Sequence, residues 1–345
     1  MKKSLIALTV MVAAGCASAQ SSVTLFGVAD VGLARVSGTG VSRTGVSTGG
    51  ANISRLGFRG TEDLGGGLAA SFWLEAGMDI DTGSGKAVGG GLAFNRRSTV
   101  SLSGPIGEVR LGRDDAATFL NTLIFDPFLT NGVGGNMAFT MLGVPGVTGA
   151  PIQISNAVSY FLPGNLGGFY GQVQYAFGEP PATAANSKQG NYAGTRFGYR
   201  SGPVHAALAI GKLRGATTAQ DIRAHNVGAS YDFGVIKPML LWATEKTDIT
   251  KITAVELGFT APVGAGELRA QASRYSTAAS NADWSKYAIG YGYNLSKRTQ
   301  VYGTYAHLSN KVGAQRSIGV QGLAATGTTL GGNSSGYEVG IRHSF

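Results

Sequence analysis

From Leu68 to Asp81 the chain alternates. Leu68, Ala70, Phe72, Leu74, Ala76, Met78 and Ile80 fall on one parity; Ser71, Trp73, Glu75, Asp79 and Asp81 fall on the other. Successive side chains of a strand point to opposite faces, so this segment has one oily face and one face with three carboxylates. The pattern recurs. Val204, Ala206, Leu208 and Ile210 alternate with His205, Ala207, Ala209 and Gly211, and Tyr287, Ile289, Tyr291 and Tyr293 alternate with Lys286, Ala288, Gly290, Gly292 and Asn294. After residue 20 no apolar run approaches the roughly 20 residues of a membrane helix, so any membrane span here is made of strands. A soluble sandwich would show the same alternation, and the turns separate the two.

Seven turns are short and rich in Gly, Pro, Asp or Ser: near residues 61, 103, 163, 201, 232, 261 and 295. Between them lie longer polar stretches near 36–53, 82–92, 114–151, 179–190, 213–221, 246–250, 276–283 and 309–335. Eight long and seven short connections join sixteen strands, with both chain ends on the short-turn side. An even number of strands with short turns at one rim and long loops at the other is the scheme of an outer-membrane barrel. Residues 20–345 spread over sixteen strands leave about twenty residues per strand and loop, against the roughly 9–11 a tilted strand needs to cross. The expected fold is therefore all-β: a transmembrane antiparallel β-barrel of 16 strands. Closure is obligatory, because an open edge in lipid leaves N–H and C=O groups unpaired at several kcal/mol each.

The composition agrees. Only 14% of the 345 residues are charged and 55 are glycine, against roughly 25% charged and about 7% glycine in soluble domains. Mean hydropathy is nevertheless only +0.08, too low for a helical bundle in lipid. Lys2 and Lys3, an apolar run from Leu5 to Ala14, and Ala17-Ser18-Ala19 read as a secretory signal over 1–19, leaving 20–345 as one barrel domain. A lipidated Cys16 is the alternative. Ala13 stands where a bulkier aliphatic would be expected, and cleavage after Ala19 fits better. Cleavage removes the single Cys, so thiol chemistry is excluded, and loss of Lys2 and Lys3 lowers the formal charge from +9 to +7.

One loop stands apart. Asp114 to Ala150 follows the fifth strand, has three acids (Asp114, Asp115, Asp126) and no base, and carries Phe119, Leu120, Leu123, Ile124, Phe125, Phe128, Phe139 and Met141. Solvent loops are seldom so apolar. It either folds into the lumen or packs on a partner chain.

The chain resembles the trimeric sixteen-stranded general porins of Gram-negative outer membranes, especially the beta-proteobacterial type. The resemblance is carried by "SSVTLFGVADVGLARV" at 21–36, "SRLGFRGTEDLGGGL" at 54–68, "GEVRLGRDD" at 107–115, "YDFGVIKP" at 231–238, "NLSKRTQVYGTYAH" at 294–307 and the terminal "IRHSF". It covers essentially all of the chain after residue 20. It implies a homotrimer in the outer membrane, in contact with lipid and lipopolysaccharide, with the third loop folded inward as an eyelet. It also implies a constriction in which arginines face loop acids. By position the basic side is Arg55, Arg59, Arg97, Arg110 and Arg113, and the acidic side is Asp114, Asp115 and Asp126. Alternation with Val100 and Leu102 puts Arg97 inward and Arg96 outward, although a bulge would exchange them. The family commonly has an arginine in the strand after the loop; here "NAVSY" puts Ser159 there, which thins the basic ring.

Other inward charges are Arg196, Arg200, Lys237, Arg269, Lys286, Arg342, Asp30, Glu75, Asp79, Glu256 and Glu338. A wet lumen tolerates charge, whereas Arg or Lys at mid-bilayer on the lipid face costs roughly 2–4 kcal/mol. At the constriction the charges have a further use. A wide vestibule is screened over a Debye length of about 8 Å, but a narrow opening is not, so its charges set ion preference. The expected function is passive diffusion of ions and small hydrophilic solutes with a weak to moderate anion preference. A substrate-selective channel and a structural or adhesive barrel are the alternatives.

Catalysis has little support. "GNSSG" at 332–336 matches G-x-S-x-G but leads into a strand, not a strand–turn–helix elbow. "GGGLAA" at 65–70 matches a phosphate-loop pattern with no helix to follow it. No metal-ligand spacing and no basic cluster longer than two residues occurs, so no cofactor, metal or nucleic acid is expected. Tyr and Phe near strand ends (Phe169, Tyr170, Tyr175, Phe177, Tyr231, Phe233, Tyr291, Tyr293, Phe345) read as interfacial girdles. The chain ends "GYEVGIRHSF", with Tyr337, Val339, Ile341, His343 and Phe345 on the lipid parity. This strand must pair with the first, and by resemblance Tyr337, Val339, Ile341 and Phe345 form the signal read by the outer-membrane assembly machinery.

Overall fold

The computed structural model describes residues 22–138 and 150–345. The expected signal at 1–19, and Phe139 and Met141 of the long loop, lie outside the described residues. Sixteen strands form one closed antiparallel barrel. They are β1 (Ser22–Gly38), β2 (Val41–Thr48 continued by Arg55–Gly65), β3 (Leu68–Asp79), β4 (Arg97–Gly104), β5 (Gly107–Asp115), β6 (Gln153–Phe161), β7 (Phe169–Ala176) and β8 (Tyr192–Ser201). The second half is β9 (Val204–Leu213), β10 (Ile222–Tyr231), β11 (Lys237–Lys246), β12 (Lys251–Val263), β13 (Gly266–Thr277), β14 (Trp284–Asn294), β15 (Thr299–Asn310) and β16 (Ser334–Ser344). A two-residue strand, Ser84–Gly85, sits in the connection after β3, and a short helix, α1 (Phe119–Ile124), lies among the described residues of the long loop.

Each strand bonds its sequence neighbour, and β1 closes the ring on β16 from Val28 opposite Ser344 to Ser37 opposite Ser335. Phe345 adds two backbone bonds to Gly27, at 3.0 and 3.1 Å. The last strand therefore leaves no open edge.

All seven short turns fall between strands as expected. The first long connection does not. Residues 36–53 are mostly strand: β1 and β2 form a hairpin turning at Thr39-Gly40, with Gly38 opposite Val41. The only excursion is at 49–54, and Asp30 causes it. Its carboxylate accepts the Ala51 and Asn52 N–H groups at 2.9 and 2.7 Å, and Tyr302 donates its hydroxyl proton to it at 2.7 Å. A buried carboxylate needs such donors, and the chain leaves the ladder to supply them.

The two faces of the wall are chemically distinct. Val23, Leu25, Val100, Leu102, Val173, Leu208, Leu257 and Ile289 are exposed, although apolar, on one side. Asp30, Glu75, Gln172, Gln174, Arg196, Asn226, Glu256, Lys286 and Glu338 are buried on the other. This inverts a soluble protein and suits a wall with lipid outside and polar groups inside. Phe169, Tyr175, Phe177, Tyr231, Phe233 and Tyr293 are exposed outward, many in ring pairs such as Tyr231–Phe233 at 4.5 Å. Tyr170 departs from the expected girdle. It has the opposite parity to Phe169, and its hydroxyl accepts from Arg196 at 2.8 Å on the inner face.

Candidate permeation site

The inner wall of β2–β5 gathers most of the expected basic residues. A cavity of about 550 Å³ is lined by Arg55, Glu75, Arg96, Arg97, Asp114 and Asp115 together with loop residues. A second, of about 410 Å³, is lined by Arg59, Arg97 and Arg110 with Glu108. Trp73 borders both. Arg59 and Arg97 lie over its ring, 5.1 and 4.6 Å from the centroid. Arg110 lies 4.1 Å from the Phe161 ring. Guanidinium groups stack on aromatic faces because the ring quadrupole attracts the cation. The stacking holds three long side chains flat against the wall.

Glu75 accepts from Arg96 at 2.6 Å and from Trp73 Nε1 at 3.1 Å, and lies 3.6 Å from Arg55. Asp114 accepts from Arg110 at 2.6 Å and lies 3.7 Å from Arg97. Arg110 also reaches Glu108 at 2.8 Å. Among the described residues Arg59 forms no ion pair; it is exposed, with only Phe26 and Trp73 beneath it.

Four placements differ from expectation. Asp114 and Asp115 belong to β5 and not to the loop. They lie beside the arginines along one wall instead of facing them across an opening. Arg96 is inward, because it precedes the first residue of β4 and strand parity does not bind it. Its backbone N–H bonds the Glu75 carbonyl at 3.1 Å. Arg113 stands apart from the cluster: the β5 register shifts between Gly112 and Asp114, and its guanidinium donates to the Asn95 carbonyl and to Ser155 Oγ at 2.7 Å. Asp126 is spent on the loop itself. One carboxylate oxygen accepts the Phe128 N–H (2.9 Å) and the other those of Thr130 (2.9 Å) and Asn136 (2.8 Å). Burial pushes the Asp126 carboxyl up, and these three bonds act against that rise. Glu75, Glu108, Trp73 and Arg96 complete the site. Alternation made Glu75 and Trp73 legible as inward, but not their pairing with Arg55, Arg96 and Arg97.

The loop bonds residues on the inner parity of many strands. Asn121 joins Arg196 (2.6 Å) and Asn226 (2.9 Å), Met137 N–H reaches Tyr275 Oη (2.8 Å), and Gln271 reaches the Gly134 carbonyl (3.1 Å). Lys286 donates to the Gly135 carbonyl, and Glu338 accepts the Val133 N–H at 3.3 Å. Its apolar side chains rest where the wall has no side chain. Phe125 is fully buried over Gly228, where a Cβ would lie 2.0 Å from its ring. Burying such a ring stabilises the contact by about 1.5–3 kcal/mol. The apolar loop is thus matched to a wall with glycines at inner positions.

The serine of the G-x-S-x-G match, Ser334, donates to the Ser37 carbonyl at 2.7 Å and accepts the Ile318 N–H at 3.0 Å, and its neighbour Ser335 makes a His contact without catalytic geometry. Ser335 Oγ lies 2.8 Å from His307 Nδ1, but His307 Nε2 faces Ser309 Oγ at 3.2 Å, and among the described residues no carboxylate orients the ring.

Comparison with known proteins agrees with this geometry. A family described as Gram-negative porin matches residues 5–313. The chain is 43% identical to outer membrane porin protein 32 of Delftia acidovorans, covering all of both sequences. It is 28% identical to an outer membrane porin protein of Bordetella pertussis over 89% of this chain and 94% of the relative. A solved anion-selective porin from Comamonas acidovorans superposes with a TM-score of 0.86 at 41% identity, covering 94% of this chain and all of that one. Barrel closure, inverted faces, a charged inner wall and these likenesses converge: the chain belongs to the Gram-negative porins, β-barrels of the outer membrane that form channels for small solutes.

Proposed function

We propose that this porin passes anions in preference to cations, through a lumen narrowed by the loop of residues 116–152. The observation that carries the reading is the β2–β5 wall. Five arginines (55, 59, 96, 97 and 110) share it with four carboxylates (Glu75, Glu108, Asp114, Asp115), and Arg59 is left without an ionic partner. The loop's bonds to Arg196, Gln271, Tyr275, Lys286 and Glu338 support its crossing of the lumen. In such a passage, charge within about one Debye length of the ion path is incompletely screened. The anion selectivity of the Comamonas relative points the same way. Reversal potentials of the purified channel in a KCl gradient test this. The expected sign is that of chloride preference, and cation preference would sink the proposal.

Assembly is proposed as a homotrimer, following the family resemblance, with the signal peptide cleaved after Ala19. The terminal strand is proposed as the assembly signal. Tyr337, Val339, Ile341 and Phe345 are all exposed on the outer face, where a chaperone or insertase can read them before closure. Deleting Phe345 also removes its two bonds to Gly27. The expected result is a clear fall in folded trimer recovered from outer membranes, with unit conductance unchanged in the trimers that form. A normal yield would refute it.

A further inference from the structure

The larger cavity of the inner wall has two unlike sides. Its charged side carries Arg55, Arg96 and Arg97 with Glu75, Asp114 and Asp115, three of each sign. Its other side is apolar: Ile53 and Ile152 with Leu123, Ile124 and Leu129 of the loop. The positive surplus of the wall lies in the neighbouring cavity, with Arg59 and Arg110. A simple inorganic anion therefore meets no net charge in the larger cavity and makes no use of its apolar side. At about 550 Å³ the cavity has the size of a small-molecule pocket, roughly 300–1,000 Å³.

Its charged groups do not all pair with one another. Among the described residues Asp115 forms no ion pair; Gln153 Nε2 donates to its Oδ1 at 2.8 Å. A gap thus separates this carboxylate from the arginines of the same cavity. Arg96 and Arg97 direct their Nε atoms to Glu75 (2.6 Å) and Thr99 (3.0 Å), and their terminal nitrogens bond no described residue. A carboxylate and two guanidinium forks held apart in one pocket are the complement of a zwitterion. Leu129 sharpens the apolar side. Leu129 and Thr130 have φ of 53° and 61°, a left-handed region that bulky and β-branched side chains seldom adopt. Asp126 holds this turn through the Thr130 N–H at 2.9 Å. Such strain persists only where the surroundings enforce it, and it gathers at ligand sites. Here it leaves Leu129 39% exposed in the cavity lining.

We propose that this cavity holds apolar α-amino acids as they pass, with the ammonium on Asp115, the carboxylate on the forks of Arg96 and Arg97, and the side chain against Leu123, Ile124 and Leu129. The proposal rests on the loop's proposed course through the lumen and goes beyond ion preference, because the bound solute is a neutral zwitterion. The test is single-channel recording in planar bilayers with L-phenylalanine as the probe. Millimolar L-phenylalanine is expected to interrupt the chloride current. Glycine, which lacks the side chain, and 3-phenylpropanoate, which lacks the ammonium, should interrupt it far less. Asp115→Asn should weaken the L-phenylalanine block about tenfold, the contribution of one hydrogen bond to a charged group, and strengthen the block by 3-phenylpropanoate. Leu129→Gly removes the apolar contact and relieves the backbone. Its unfolding midpoint should therefore not fall, while its block by L-phenylalanine weakens about tenfold. Equal block by glycine or by 3-phenylpropanoate, or an unchanged block in either variant, would overturn the proposal. Reversal potentials from the same bilayers test the anion reading separately. Block by L-phenylalanine in a cation-preferring channel would end that reading and leave this one; an anion-preferring channel indifferent to L-phenylalanine would do the reverse.

Discussion

Asp126→Ala is expected to lower the thermal unfolding midpoint of the porin and to raise open-channel noise. The carboxylate holds the Phe128, Thr130 and Asn136 N–H groups from its two oxygens. Hydrogen bonds to a charged acceptor contribute about 1.5–3 kcal/mol each, and losing the acceptor leaves buried donors unsatisfied. Allowing for non-additivity, the loss is about 4 kcal/mol, concentrated in residues 126–136. Those residues also carry the contacts to Gln271, Lys286 and Glu338, so their loosening should let the segment fluctuate, and under the proposed function it does so beside the ion path. Asp126→Asn should lie between. Its amide keeps one acceptor oxygen and sets an N–H against an N–H at the other position. Calorimetry and single-channel recording check both variants. An unchanged midpoint with quiet channels from Asp126→Ala would show that the loop is organised by something else.

Arg59→Glu should change ion selectivity more than reversal of any other wall arginine. Arg55, Arg96, Arg97 and Arg110 each have a carboxylate partner, so much of their field is cancelled at source. Arg59 has only aromatic rings beneath it. The wall of five arginines and four carboxylates passes from an excess of one positive charge to one negative. A unit charge about 8 Å from an ion in water contributes about 0.5 kcal/mol. Reversal shifts anion and cation in opposite directions, so the anion:cation ratio should fall about tenfold after screening. Arg55→Glu should do less to selectivity and more to stability, because it places a second carboxylate beside Glu75. Reversal potentials of the two variants under one KCl gradient separate the cases. Equal shifts would remove the special standing of Arg59.

The strand pattern was legible because parity is a local rule. Leu68–Asp81 alternates, and Trp73 and Glu75 do face inward while Phe72 and Leu74 do not. The seven short turns were legible because their glycines, prolines and aspartates act within a few residues. Parity stops at the first residue outside a strand, which is why Arg96 was misplaced by one position. Arg113 was grouped with the others by resemblance alone; its parity is that of the exposed Val109 and Leu111, which sets it apart. The 36–53 segment was misread as a loop because its polar residues sit on a hairpin at the rim, outside any apolar environment that would imprint alternation.

The sequence by itself determined the wall: strands with one apolar parity, turns of two lengths, and a terminal strand that must close the sheet. Those follow from nearest-neighbour backbone geometry and from the cost of an open edge in lipid. Only the tertiary structure decided what the charges do. Asp126 could not be known to serve its own loop, nor Asp114 to lie beside Arg97 and Arg110, until the path of the loop and the register of β4 on β5 were in place. Which carboxylate meets which arginine depends on the register of adjacent strands, and the loop's course depends on partners 75 to 205 residues away.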